Sequence, residues 1–275
     1  MQIAASTYLN SAPLVHSFAS EAFQRRYAFI GDAAPSRCAA MLAAGQCEIA
    51  LIPVIEYQRI PNLLIIPDIA VASKHRVLSV LIASRSRLEN VQTLALDASS
   101  RTSQALVKIV FSERYGFLPE FTERTPDLAA GGENMLEASD AALVIGDPAM
   151  RLAASAERIG IRVYDLAEEW RSMTGMPFVF AVWAMQGDLE ADCAAIVRDL
   201  LLAKRQGIEA IDEIAHQYSA ELGLPEDDLL SYLKDNVNFD LDEENIAGMK
   251  RFFELAWKWN LIPEIRELRF AGRVK

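Results

Sequence analysis

The sequence predicts an α/β fold in two lobes, with a ligand cleft between them. Three observations predict it. Short β-rich runs alternate with helical segments as far as residue 185, no Gly/Ser/Pro-rich linker separates them, and from Asp188 the pattern is almost wholly helical. The 275 residues are 52% hydrophobic and 24% charged, with 13 Gly and 11 Pro, which excludes a disordered or fibrous chain. At about 150 residues per domain, this length corresponds to two domains or one large one.

Each element has a local reason. Gln2 to Ser6 reads as a strand and runs into the polar turn Tyr8-Leu9-Asn10-Ser11. A helix starts near Pro13, because a first turn tolerates the missing proline N–H. A second helix, Ser36 to Ala44, stops at Gly45, a residue suited to a left-handed cap. Glu48 to Ile52 and Val77 to Ala83 are nearly continuous apolar runs, as in buried parallel strands. A second series opens with the strand Leu94 to Asp97. It continues through Ser99 to Ser103 into a helix with Ala105, Leu106, Ile109 and Val110 on one face, ending before Gly116. Ala141 to Ile145 is an apolar strand, Gly146-Asp147-Pro148 opens the next helix, and Phe178 to Met185 is the last strong strand. In the tail, Cys193, Ile196, Val197, Leu200 and Leu201 keep helical spacing, as do Ile246, Met249, Phe253, Ala256 and Trp257. With chain crossings near 84–91 and 178–185, residues 1–88 plus 186–275 form the first lobe and 89–185 an inserted second lobe.

Charge and cysteine content narrow the function. Lys plus Arg number 27 against 38 Asp plus Glu, a net charge of −11 with no basic stripe, which argues against a nucleic-acid partner. Cys38, Cys47 and Cys193 lack metal-type spacing and are odd in number, so neither a zinc site nor a disulfide framework is expected. The N-terminus has no basic n-region, and no apolar run approaches 18 residues, so the expectation is a cytoplasmic, reduced protein without a membrane span. Its oligomeric state is open between a monomer and a homodimer.

Two strand-to-helix turns stand out. Asp97 to Ser103 combines four hydroxyls with Arg101 at a helix start, where free N–H groups, hydroxyls and a guanidinium together receive a carboxylate or phosphate. Ordinary N-capping accounts for one hydroxyl, not four with an arginine. Gly146-Asp147-Pro148-Ala149 repeats the geometry, and Asp147 as an N-cap is its plainer reading. Both turns lie at C-terminal strand ends, where open α/β sheets bind ligands. His16, His75 and His216 share no metal-ligand spacing, and no Walker loop, dinucleotide fingerprint or Gly-x-Ser-x-Gly is present. Phe252, Phe253, Trp257 and Trp259 read as helix packing. No cofactor and no metal is expected.

Five stretches stand in a specific order: Tyr8-Leu9-Asn10-Ser11-Ala12-Pro13-Leu14, Val77-Leu78-Ser79-Val80, Ser100-Arg101-Thr102-Ser103, Ile145-Gly146-Asp147-Pro148-Ala149 and Thr174-Gly175-Met176-Pro177-Phe178-Val179-Phe180-Ala181-Val182-Trp183. Together they resemble the chorismate dehydratases of the futalosine route to menaquinone. Single motifs are weak; their joint order and spacing are specific. The resemblance spans residues 1 to about 185 and implies a type II periplasmic-binding-protein-like fold. It also implies a hydro-lyase that takes water from chorismate to give 3-[(1-carboxyvinyl)oxy]benzoate, without a cofactor. By the same resemblance Asn10 and Ser79 are catalytic. Tyr8, Ser11, Ser99, Ser100, Arg101, Thr102, Ser103, Gly146, Asp147 and Thr174 bind substrate. Neither Asn10 nor Ser79 is a base at neutral pH, so the proton acceptor is the substrate's own enolpyruvyl carboxylate or a carboxylate such as Glu56. The rival readings are the related naphthoate-forming enzyme, a solute-binding receptor and a regulator's effector domain.

Overall fold

A computed structural model describes residues 1–127 and 133–272. Among the described residues, ten strands form two five-stranded sheets: β1 (Gln2–Ser6), β2 (Ala28–Asp32), β3 (Ile49–Pro53), β4 (Leu63–Ser73), β5 (Val80–Ser84), β6 (Thr93–Asp97), β7 (Glu120–Arg124), β8 (Ala141–Ile145), β9 (Arg162–Asp165) and β10 (Phe178–Gln186). The first sheet has the order β2-β1-β3-β10-β4 and the second β7-β6-β8-β5-β9. In the first, β1 runs parallel to β2 and β3, while β10 is antiparallel to β3 and β4. The second repeats this plan: β6 is parallel to β7 and β8, and β5 is antiparallel to β8 and β9.

The antiparallel member of each sheet is the strand that follows a crossing. Val80–Ser84 therefore belongs to the second sheet and Phe178–Gln186 to the first. The chain crosses at 74–79 and 175–177, so the boundaries expected after 88 and after 185 do not coincide with those of the sheets. The reason is physical. Both strands are almost wholly buried apolar runs, and such a run carries no mark of which sheet it will join. The first crossing is held by Asp165, whose Oδ2 accepts the N–H groups of Val77 (2.9 Å) and Leu78 (2.7 Å).

Helices cover the sheets. Arg101–Val110 is capped by Ser100, whose Oγ accepts the Ser103 N–H at 3.3 Å. Gly146–Ser155 follows β8 directly, and Cys193–Glu209 lies along the start of the first lobe. There Gly207 permits close contact: a Cβ on it would stand 1.6 Å from the Pro13 carbonyl oxygen. The aromatic residues of the last helix, Glu243–Lys258, divide. Phe252 and Phe253 are core, Phe252 standing edge-on to Phe178 and Trp170 and tilted against Phe253, while Trp257 is 55% exposed. Among the described residues, no helix is long and apolar enough to cross a membrane.

Candidate functional site

The site is built at the C-terminal ends of β1, β6 and β8, where three turns meet. After β1 the chain makes a 3₁₀ turn, Leu9–Ser11, and Asp147 of the other lobe takes its Leu9 N–H on Oδ1 at 3.0 Å. After β8, Gly146 adopts φ 65°, which favours glycine, and the ring of Tyr8 lies flush against it. A Cβ there would stand 2.6 Å from Tyr8 Cδ2. Gly146 N–H donates to the Ser79 carbonyl at 2.7 Å. After β6, the Ser100 cap and Ser103 bring a helix N-terminus to the same place.

These turns line one cavity. Ser6, Tyr8, Asn10 and Ser11 line it from the first lobe and Ser100 and Ser103 from the second, with Leu51, Val71, Val80, Ile145 and Phe180 among the apolar lining residues. Among the described residues, no Asp, Glu, His, Cys, Lys or Arg lines it. The nearby carboxyls are buried in its walls instead. Asp97 accepts from the Ser99 N–H (2.9 Å), the Ser99 hydroxyl (2.5 Å) and the Ile145 N–H (3.3 Å). Burial nonetheless pushes its pKa up. Asp147 is pushed up to about 6, again chiefly by burial. Burial and the neighbouring Asp97 also raise the Tyr8 phenol, which stays protonated at neutral pH.

Of the residues expected to bind or act, Tyr8, Asn10, Ser11, Ser100, Ser103 and Gly146 line one cavity. Ser99 and Asp147 stand behind them, and Thr102 docks the helix by accepting the Ile55 N–H at 3.2 Å. Ser79 is fully buried, not lining, and its Oγ accepts a hydrogen bond from the Tyr232 phenol at 2.7 Å. Arg101 is not at the cavity: its guanidinium meets Glu56 at 3.0 Å, while Arg59 holds the other oxygen of that buried carboxylate at 2.8 Å. The charge expected to meet a bound anion thus neutralises Glu56, and Glu56 is not placed to take a substrate proton. Thr174 lies elsewhere too, donating to the Trp170 carbonyl (2.9 Å) and accepting the Met176 N–H (3.2 Å) at a helix end. His216 pairs with Glu226 at 2.8 Å and His75 is exposed. Among the described residues, no group of three or more His, Cys, Asp and Glu is placed to hold a metal ion. Tyr232 is the residue missed, since it stands in a helical stretch without a motif.

Two matched α/β lobes with a cavity between them are the architecture of the periplasmic-binding-protein-like fold. A Candida albicans protein described as having that generic fold superposes with a TM-score of 0.69 at 15% identity, covering 97% of this chain and 92% of its own. Protein AF1704 from Archaeoglobus fulgidus superposes with a TM-score of 0.75 at 17% identity, covering 95% and 98%. The chain belongs to the menaquinone biosynthesis family, which matches residues 1–258. It is 31% identical over 261 residues to the chorismate dehydratase of Thermus thermophilus, an alignment covering 90% of this chain and 92% of that one.

Proposed function

We propose that this protein is a chorismate dehydratase, a hydro-lyase that eliminates water from chorismate to give 3-[(1-carboxyvinyl)oxy]benzoate in the cytoplasm. The observation that carries the reading is the cavity itself: hydroxyls and an amide from both lobes, apolar residues beside them, and among the described residues no lining side chain able to act as a base at neutral pH. A dicarboxylate that brings its own base fits such a site. The C3 hydrogen is γ to the ring carboxylate through a double bond, so its removal is assisted by conjugation. Loss of the C4 hydroxyl then makes the ring aromatic. The ring carboxylate meets Ser100, Ser103 and the first-turn N–H groups of their helix. The enolpyruvyl carboxylate, held beside C3, takes the proton, and positioning of this kind supplies several kcal/mol. Asn10 donates to the departing oxygen.

The fold also serves non-catalytic binding, so the test must read product. Purified protein is incubated with chorismate and the mixture analysed for the 3-substituted benzoate. Binding without product would leave a small-anion binder. Asn10→Asp preserves shape but sets a negative charge beside a dianion; turnover is expected to fall about 10²–10³-fold with circular dichroism unchanged. Near-normal turnover in that variant removes Asn10 from the reacting centre.

A further inference from the structure

Asn10 stands on a turn whose backbone is held at three points. Thr7 N–H, at its entry, donates to the Asp32 carbonyl at 3.0 Å, and Ser11 N–H, at its close, donates to the Tyr8 carbonyl at 2.9 Å. Between them Asp147 takes the Leu9 N–H from the second lobe. With the backbone set, what is left to choose is the face that the Asn10 amide presents. One side of an amide accepts hydrogen bonds and the other donates them, and a half-turn about its last bond exchanges the two. Two buried serines that line the cavity with Asn10 make the choice. Ser11 donates to Asn10 Oδ1 at 3.1 Å, and the hydroxyl oxygens of Ser6 and Ser11 are 2.6 Å apart. Each hydroxyl has one hydrogen to give. Ser11 gives its own to Asn10, so Ser6 is the donor between the serines, and the order is Ser6 to Ser11 to Asn10.

Resting on the dehydratase reading, we infer that Ser11, directed by Ser6, is a positioning residue: its hydroxyl holds Oδ1 of Asn10, so that the amide meets the leaving oxygen with the hydrogens of Nδ2. Turned over, the amide would set Oδ1 against an oxygen of a dianion, and Nδ2 against a hydroxyl whose own hydrogen would need another acceptor. A donor aimed in advance needs no reorganisation as the leaving oxygen gains charge. Ser11 thus acts through Asn10 and not by touching the substrate. Ser6, the last residue of β1, acts one step further back.

Ser11→Ala removes the bond to Oδ1 and leaves the backbone bonds of the turn in place. With chorismate as substrate, kcat is expected to fall about 10-fold with KM nearly unchanged and circular dichroism intact. In an Asn10→Ala background the same change should cost less than about 2-fold, because its effect passes through Asn10. A merely structural role predicts losses that multiply, and that outcome overturns the inference, as does an unchanged kcat. A raised KM at unchanged kcat would show Ser11 touching the substrate directly, and overturns it too. Should Ser11→Ala fail to fold, Ser6→Ala is tested in its place, alone and with Asn10→Ala. A smaller fall in kcat that vanishes in the Asn10→Ala background supports the inference; an unaltered kcat, or a fall that persists, overturns it. Wild-type protein without chorismate turnover overturns the dehydratase reading and this inference together, whereas an active wild type with an unaffected Ser11→Ala overturns the inference alone.

Discussion

Asp147 reaches from one lobe to the Leu9 N–H of the other, yet burial outweighs that bond and the nearby Arg151, and its pKa rises from 3.8 to about 6. Between those values the folded chain holds a proton that the unfolded chain releases. The stability this group contributes is therefore complete below about pH 3.8 and is lost as the pH rises through about 6. Near neutrality the buried charge is a burden of order 1–3 kcal/mol. Asp147→Asn keeps an acceptor for Leu9 and removes the charge. Its melting temperature should exceed that of wild type at about pH 7.5, with the gap closing in acid; a lower value at pH 7.5 would contradict this account. At the same scale, the sequence announced the cavity unevenly. Hydroxyl-rich runs next to strand ends marked Tyr8–Ser11 and Ser100–Ser103. Arg101 misled because its partner, Glu56, lies 45 residues away. Tyr232 was silent because its partner, Ser79, lies in a distant stretch of the chain.

The helix Arg101–Val110 is docked on the first lobe by its N-terminal turn. Ser36 N–H meets the Ser99 carbonyl at 3.0 Å, Ile55 N–H meets Thr102 at 3.2 Å, and Arg101 meets Glu56. Arg101→Ala is therefore expected to act on stability, by about 1–2 kcal/mol once solvent screening is allowed for. Its KM for chorismate should barely move, since the side chain does not line the cavity. A raised KM at unchanged melting temperature would return Arg101 to the site. The strands show where sequence reasoning holds. All six inner strands, β1, β3, β5, β6, β8 and β10, are apolar runs legible in the sequence. The four unread strands, β2, β4, β7 and β9, are the four sheet edges. An edge needs no uninterrupted apolar run and is better protected without one. β2 is half exposed, β7 reads Glu-Phe-Thr-Glu-Arg, β9 begins with Arg162, and β4 carries Pro67 in mid-strand, which an edge tolerates.

At the scale of the molecule, each sheet takes one antiparallel strand from beyond a crossing, and the two sheets are affected unequally. The second sheet is contiguous, its strands lying between Val80 and Asp165, whereas the first needs Phe178–Gln186 to join β3 to β4. A fragment comprising residues 1–177 is expected to lack a cooperative thermal transition for its first sheet and to aggregate, since β3 and β4 would each expose a buried-type edge. A soluble fragment melting like the whole chain would show that β10 is dispensable. During synthesis the same arrangement becomes an order in time. At about 5–20 residues per second, some 6–25 s separate the emergence of Pro53 from that of Phe178. The lobe that begins second can be finished first, and throughout that interval the nascent chain holds open a gap in its first sheet one strand wide.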